Sequence, residues 1–284
     1  MVDSLATIQI LAQEHGTVPA CRLLQKKTEE VSDDELDKRM YNLLSVMRES
    51  VEVGMDKNLR SMSGLTGGQA FLYQNAINQG KTAGDSLLST AGARALAIAE
   101  CNASMGRIVA APTAGACGIL PAALFAMQDK HHLTDEELLP GLYIAATVGL
   151  VIAKRASISG AQGGCQAECG TASAMAASAC TLLCGGTVKQ ALDACGFALM
   201  NVMGLVCDPV GGLVEIPCVY RNVMGVSNAL TSADLALSGI ACPLVPDEII
   251  DAMREVGDLM PACLRETGEG GCAACPSAKW KTEK

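Results

Sequence analysis

Aromatic residues and histidines are scarce in this chain of 284 residues. It contains three Phe, four Tyr, one Trp and three His, although 50% of its residues are hydrophobic. Bulky rings therefore cannot fill the core, which must be built from alanine together with 29 Gly, 14 Cys and 13 Met. Because β-sheets favour aromatic and β-branched residues, this composition argues against a sandwich or a long parallel sheet and predicts closely packed helices.

Positive charge is also in short supply. The chain has 21 Lys and Arg against 30 Asp and Glu, which gives a net charge of −9, and it has no block of basic residues. Such a surface would repel a phosphate backbone, and nucleic acid is therefore excluded as a partner.

The start of the sequence lacks a cationic segment followed by an apolar one, so we expect no secretory signal. Fourteen cysteines in a chain without an export signal indicate a reducing, cytoplasmic environment rather than a disulfide scaffold. The cysteines then serve as metal ligands or as small hydrophobic residues.

Residues 108–128 carry no formal charge and are long enough to cross a membrane. Pro112, Gly115, Gly118 and Pro121 interrupt this stretch. We therefore predict a buried, broken segment beside a functional site, in a soluble protein with no membrane partner.

Two capping boxes predict where helices begin. Ser32 with Glu35 precedes hydrophobic residues at helical spacing over 36–47, and Thr134 with Glu137 precedes a second helix.

Residues 142–155 form an apolar helical pattern, and the stretch that follows Cys169 is apolar on every face, which predicts a fully buried helix. Strand signals are few. We predict an all-α chain in which a single large helical domain with buried, small-residue central helices covers residues 1–265, and a Gly-rich tail covers 266–284.

Three cysteines lie among glycine and proline residues rather than within Ala-rich helices. Cys165 follows two glycines, Cys207 opens the run CDPVGG, and Cys218 follows a proline. We expect the neighbouring glycine and proline residues to hold the backbone in exposed turns. The wide separation of the three cysteines in the sequence fits a cluster bound where several helices meet. From the residues alone, metal ligation and hydrophobic packing both remain open for these three. Packing is favoured for Cys101, Cys180, Cys184 and Cys195.

From Ser61 to the tail, the sequence resembles the α chain of the bacterial iron-sulfur L-serine dehydratases, also called L-serine ammonia-lyases. The segments that carry the resemblance follow the order found in that family. They are SGLTGG (63–68), APTAGACGILPAAL (111–124), GGCQAE (163–168), CDPVGGLVEIPCVYRN (207–222) and ETGEGGCAACPSAK (266–279).

The resemblance implies a lyase that converts L-serine to pyruvate and ammonia by β-elimination of water, in L-serine degradation that feeds gluconeogenesis. It implies that Cys165, Cys207 and Cys218 hold a [4Fe-4S] cluster and leave one iron without a cysteine ligand. Such an iron can take the hydroxyl and carboxylate oxygens of the substrate and act as a Lewis acid. Residues 1–265 would then be the iron-sulfur catalytic domain.

The resemblance also implies a separate β subunit, which in the family carries a Ser-His-Thr motif. His15, His131 and His132 have the sequence surroundings of surface residues. We therefore expect a hetero-oligomer whose site is completed by the second chain, and a base that is either another residue type or a group of that chain.

Family resemblance and loop chemistry both indicate substrate contacts in two loops, because hydroxyls and backbone N–H groups suit an amino-acid carboxylate. The same residue types are also typical of helix caps and turns. The candidate contacts are Ser61, Ser63, Gly64, Thr66, Thr113 and Gly115. Glu168 is a candidate base or cap partner, and Arg221 and Asn222 are candidates for orienting the cluster or the substrate.

Other cysteines offer alternative cluster ligands. Cys169 lies about one helical turn after Cys165, so a ligand exchange between the two is conceivable. Cys272 and Cys275 form a C-x-x-C in the tail, and the resemblance implies that a tail cysteine can occupy the open iron.

Two different functions compete with this interpretation. A pyridoxal-phosphate dehydratase would use residues 159–164 as a phosphate cradle and Lys154 as its Schiff-base lysine, but it needs an α/β sheet. A non-catalytic scaffold would instead hold a structural zinc ion. The candidate zinc ligands are Cys242, Cys263, Cys272 and Cys275.

Overall fold

The structure is a computed structural model that describes residues 3–26 and 31–278. In these two ranges the chain forms twelve α-helices and three short 3-10 turns. The α-helices are α1 (Leu5–His15), α2 (Thr17–Lys26), α3 (Asp33–Gly54), α4 (Gln69–Asn78), α5 (Ser86–Ala103), α6 (Ile119–His131), α7 (Asp135–Arg155), α8 (Gly160–Gly163), α9 (Cys165–Leu183), α10 (Val188–Asn201), α11 (Cys218–Leu237) and α12 (Pro246–Leu259). The 3-10 turns are Val210–Gly212, Ala262–Leu264 and Gly271–Ala274.

Strand pairing in the described residues is limited to one isolated bridge, which joins Cys207 to Arg265. The predicted all-α class is therefore confirmed. The sheet that a pyridoxal-phosphate dehydratase would need does not form in these parts of the chain.

Helix α9 is the centre of the fold. Sixteen of its nineteen residues are buried, and it packs against α6, α7, α10 and α11. Ala172, Ala176 and Ala179 are fully buried on this helix. Because such small side chains bring helix axes close together, four neighbouring helices can surround α9, as the composition predicts.

Of the two predicted capping boxes, only the one at Thr134 forms completely. Thr134 and Glu137 form the complete capping box, and the helix that begins there continues through Pro140 to Arg155 as the single helix α7. Ser32 accepts the N–H of Glu35, but the Glu35 carboxylate binds Arg39 instead of returning to the backbone. Only half of the first predicted box is therefore present, because a charged side chain one turn later competes for the Glu35 carboxylate.

Helix α7 is long and apolar enough to cross a membrane by length and composition alone. It packs against α2, α3 and α9, and 67% of its most apolar window is buried inside the protein. This degree of burial is typical of a core helix.

Residues 108–128 form a loop followed by α6. The loop runs to Gly118, and α6 begins at Ile119 with its first nine residues buried. This arrangement matches the predicted buried, broken segment.

Helices α3 and α5 meet at a glycine. A Cβ atom added to Gly54, the last residue of α3, would lie 1.9 Å from the carbonyl oxygen of Ala97 in α5. The neighbour is backbone and cannot move aside without displacing α5, so the contact requires glycine.

We expect Gly54→Ala to lower the free energy of unfolding by about 1–3 kcal/mol, the usual cost of forcing an extra carbon into a packed interior. Gly84→Ala is the matched control, because its new Cβ would lie 3.4 Å from its nearest neighbour, the Ser89 Oγ. Urea unfolding of both variants measures the difference. Stabilisation by Gly54→Ala would mean that helix propensity outweighs the steric conflict, contrary to this account.

Candidate functional site

The three singled-out cysteines lie at the starts of helices or in the loop between them. Cys165 is the first residue of α9, Cys218 is the first residue of α11, and Cys207 lies in the loop that precedes α11. The exposed fractions of the three residues are only 1%, 7% and 3%, respectively. The prediction of exposed turns is therefore wrong, because the surrounding helices and the tail cover the loops.

The Cys165 thiol is the one that most readily becomes a thiolate. The sulfur atoms of Cys165 and Cys169 lie 3.3 Å apart, within hydrogen-bond distance, and the Arg221 guanidinium lies nearby. The Cys169 contact lowers the pKa of Cys165, and Arg221 lowers it further, against the opposing effect of burial. The contact with Cys169 therefore favours the thiolate form of Cys165.

The thiols of Cys207 and Cys218, in contrast, have raised pKa values and resist ionisation. Burial raises the pKa of Cys207 to about 12, and it raises the pKa of Cys218 as well. Negative charge on Cys165 raises both values further. Since charge on one sulfur affects the other two, the three thiols are electrostatic neighbours, although they are far apart in the sequence.

Arg221 connects these cysteines to the tail. It donates hydrogen bonds to the Asp208 carboxylate (2.7 Å) and to the Val206 carbonyl (2.8 Å). The second oxygen of Asp208 accepts the N–H of Cys272 at 2.6 Å. Although burial opposes ionisation, the Cys272 N–H and the Arg221 charge keep the pKa of Asp208 below its usual value.

Asn222 joins the Thr113 loop to the start of α11. Its side-chain oxygen accepts the Gly118 N–H at 2.8 Å, and its amide nitrogen donates to the carbonyl oxygens of Gly115 (2.7 Å) and Cys218 (2.9 Å). The side chain is fully buried and fully used in these bonds. Asn222 therefore orients the backbone beside Cys218.

Glu168 is brought together with the predicted loop residues Thr113 and Gly115. The Thr113 hydroxyl donates to its carboxylate, and a Cβ on Gly115 would lie 2.6 Å from Glu168 Oε1. A Cβ on Gly160 would lie 2.8 Å from Cys207 Sγ and 3.4 Å from Glu168 Oε2, so both groups pack against this one glycine. Burial raises the pKa of Glu168, partly opposed by the Thr113 hydroxyl.

The serine loop, which spans residues 61–68, is held by Glu215, a residue without a predicted role. The hydroxyls of Ser63 and Thr66 both donate to Glu215 Oε2, at 2.9 and 3.2 Å. Glu215 is buried and lies three residues before Cys218, so it ties the loop to the cysteine site. The only sequence signal was its position as a lone acid among apolar residues.

Much of the serine loop is hydrogen-bonded within itself. The Ser61 hydroxyl accepts the Thr66 N–H, and the Gly64 N–H donates to the Ser61 carbonyl. Gly64 faces open space, since a Cβ there would meet no atom within 4 Å. The loop is thus a preformed turn with one open side.

Glu100 is a second buried carboxylate that the sequence analysis misses. It accepts the backbone N–H groups of Gly67, Gln69 and Ala70 at 2.9–3.2 Å and so caps the start of α4. A single acid inside the Ala-rich α5 was the available signal. Its role is to fix the end of the serine loop.

The tail begins as a strap over Cys207. The Cys207 N–H donates to the Leu264 carbonyl at 2.9 Å, and the Glu266 N–H donates to the Cys207 carbonyl at 2.7 Å. Cys272 and Cys275 are exposed, and the backbone of Cys272 is anchored to Asp208.

Neither the histidines nor the predicted zinc ligands form a site. His15, His131 and His132 are all exposed, as predicted. Among the described residues, no three His, Cys, Asp or Glu side chains gather closely enough to hold a single metal ion. The scaffold hypothesis therefore has no support from Cys242, Cys263, Cys272 and Cys275, all of which are described.

Comparison with known proteins identifies the family of this chain. Residues 13–273 match the family model described as "Serine dehydratase alpha chain". The chain is 48% identical over 252 residues to the "Probable L-serine dehydratase, alpha chain" of Bacillus subtilis (strain 168), covering 89% of this chain and 83% of that protein. It is 44% identical over 247 residues to the "L-serine dehydratase, alpha chain" of Peptoniphilus asaccharolyticus, covering 87% and 85% of the two chains.

A longer relative matches over nearly all of this chain. The "L-serine dehydratase 2" of Escherichia coli (strain K12) is 36% identical over 283 residues, which cover 95% of this chain but 61% of that protein. The family model and the two alpha chains each match most of the present chain. The chain therefore belongs to the serine dehydratase alpha chain family.

Proposed function

We propose that this chain is the alpha chain of an L-serine dehydratase, a lyase that converts L-serine to pyruvate and ammonia. Its family membership and the names of its relatives support this activity. The observation that carries the proposal is the meeting of three buried thiols, Cys165, Cys207 and Cys218, beside the carboxylate of Glu168.

The proposed cofactor is a [4Fe-4S] cluster held by Cys165, Cys207 and Cys218. The donor set fits this group, because all three ligands are thiols, they influence one another electrostatically, and the absence of a side chain at Gly160 keeps a Cβ away from Cys207 Sγ. A cluster also spreads its thiolates further apart than a single ion does, since each thiolate binds a different iron. When bound, the cluster would supply a Lewis-acidic iron without a cysteine ligand, which makes hydroxide a better leaving group.

The residues of this chain then position the substrate and move its proton. Glu168 is the proposed base for the Cα proton: a carboxylate with a raised pKa is more basic than usual, and Thr113 fixes its orientation. Arg221 holds the segment that carries Cys207 through the Val206 carbonyl, and Asn222 binds the carbonyls of Gly115 and Cys218. Ser61, Ser63, Gly64, Thr66, Thr113 and Gly115 remain the predicted contacts for the substrate.

Glu215 is a positioning residue in this proposal. We expect Glu215→Ala to release Ser63 and Thr66, to raise the KM for L-serine, and to lower the free energy of unfolding by about 1–3 kcal/mol, because both hydroxyls lose their hydrogen-bond acceptor. Steady-state kinetics and urea unfolding measure the two effects, and Glu52→Ala on the exposed face of α3 is the control. An unchanged KM for L-serine would remove Glu215 from this role.

A second subunit completes the proposed enzyme. The related alpha chains carry a subunit name, and the Escherichia coli relative extends well beyond the part that this chain matches. We therefore propose a hetero-oligomer with a separate beta chain. All fourteen cysteines are free, which supports a reducing, cytoplasmic location for the complex.

The proposal is tested by anaerobic purification followed by iron and sulfide analysis and a pyruvate assay with and without the added second chain. We expect four irons and four sulfides per chain, and full activity only with the partner. Full activity of this chain alone would contradict the second-subunit proposal. A protein that binds zinc without sulfide, or that carries a yellow, air-stable chromophore, would contradict the proposed cofactor.

A further inference from the structure

A cavity of about 700 Å³ is lined by residues close in sequence to Cys165 and by the backbone partner of Cys207. It is bordered by the end of α7, by α8 and by α12. Gly163 and Ala167, which flank Cys165, line one wall, and Arg265, whose backbone pairs with Cys207, lines another. The cavity therefore shares walls with the segments that hold two of the three cysteines, but none of those cysteines lines it.

The cavity is positively charged in a chain whose net charge is −9. Four basic residues line it against one acidic residue, Asp258. The basic residues are Lys154, Arg155, Arg254 and Arg265. Such a lining repels a cation and attracts an anion.

Two of these cations are already paired with carboxylates. Arg155 binds Asp251 at 2.5 Å, and Lys154 lies 3.7 Å from Asp3. These pairs neutralise one side of the cavity.

The other two cations are left without a counterion. Within residues 3–26 and 31–278, no carboxylate lies within 4.0 Å of the guanidinium of Arg254 or of Arg265. The Arg254 guanidinium donates to the Arg155 carbonyl at 3.2 Å, which leaves most of its five donors unused. Two permanently charged guanidinium groups therefore line one cavity and have N–H donors available for a ligand.

We propose that this cavity binds a small, multiply charged anion bearing carboxylate or phosphate groups. Arg254 and Arg265 would bind it through paired N–H donors, and Ser157, Gln162 and Thr267 supply further polar groups in the lining. The volume lies within the usual range of small-molecule sites. This anion site is separate from the site for L-serine, and its occupancy stabilises the turn before Cys165 and the strap over Cys207.

The test is isothermal titration calorimetry on the purified full chain with its cluster reconstituted, under anaerobic conditions and constant ionic strength. Inorganic phosphate and tricarballylate are separate probes, which distinguish phosphate from carboxylate recognition without strong iron chelation. We expect one anion per chain for at least one probe, and at least a tenfold weaker affinity after Arg265→Ala or Arg254→Ala. Arg107→Ala changes an exposed arginine outside the cavity and should bind like the wild type.

Thermal unfolding and iron content provide an independent readout. The bound anion should raise the midpoint of unfolding in the wild type and in Arg107→Ala but not in Arg254→Ala, with the iron content unchanged. The proposal is overturned if neither probe binds, if binding is indifferent to both arginines, or if L-serine displaces the anion. Loss of anion binding on addition of the second chain would assign the cavity to the subunit interface and would equally overturn it. None of these results depends on the dehydratase assay.

Discussion

Replacing Cys207 with alanine is expected to abolish both the iron-sulfur chromophore and pyruvate formation. The variant removes one of three proposed thiolate ligands, and even changes to residues that merely support a metal ligand commonly cost 10–100-fold in activity or affinity. We therefore expect a loss of at least about 100-fold in kcat/KM. The loss of the cluster is measured by iron and sulfide analysis and by the visible spectrum. The loss of activity is measured by the pyruvate assay with the second chain present.

The control for this result is Cys195→Ala. Cys195 is fully buried in α10, so its replacement tests the loss of a packed thiol without touching the cysteine site. We expect a lower free energy of unfolding but a full complement of iron and sulfide. If Cys207→Ala kept both the chromophore and the activity, Cys207 would not be a ligand and the proposed site would be wrong.

Glu168→Gln is expected to lower kcat by about 10²–10⁴-fold, the usual contribution of a positioned proton-transfer group. The amide keeps the size of the side chain and can still accept the Thr113 hydrogen bond, but it cannot take the Cα proton. Cluster content should therefore be unchanged. Glu52→Gln, which alters an exposed carboxylate of α3, should leave kcat unchanged.

The pH dependence of the activity tests whether Glu168 acts as a base. A base must be ionised, and burial raises the pKa of Glu168 above the ordinary value of 4.5. Activity should therefore fall as the pH drops through this raised pKa, and Glu168→Gln should lose that acidic limb together with most of its activity. A glutamine variant with nearly full kcat and the same pH profile would show that Glu168 is not the base.

The central architecture follows from composition and periodicity. The scarcity of rings and the abundance of alanine predict helices in close contact, and the apolar stretch after Cys169 is indeed the buried helix α9. The Thr134 capping box is equally local, because its two residues lie within one turn of each other. Such short-range patterns contain enough information to predict these elements.

The polar connections of the site could not be predicted in the same way. Glu215 meets Ser63 across 152 positions, and Asn222 meets Gly115 across 107. No local pattern encodes which distant hydroxyl or carbonyl a buried side chain will meet, because that depends on how the helices pack. For the same reason, the burial of the three cysteines cannot be predicted from their neighbours, since it comes from helices and a tail remote in sequence.

The contact between Cys165 and Cys169 could be predicted only in part. Their separation of four residues predicts that they share a face of a helix, and the sulfur atoms are indeed adjacent. The sequence left open whether Cys169 replaces Cys165 as a ligand. In the structure the contact between the two sulfurs lowers the pKa of Cys165 and raises that of Cys169, which favours Cys165 as the thiolate.

Mössbauer spectroscopy of the enzyme reconstituted with isotopically enriched iron, recorded with and without L-serine, tests the central claim most directly. If Cys165, Cys207 and Cys218 are the only protein ligands of a [4Fe-4S] cluster, one of the four iron sites should change its isomer shift and quadrupole splitting when L-serine binds, while the other three stay the same. Four irons that do not respond to L-serine would contradict the account.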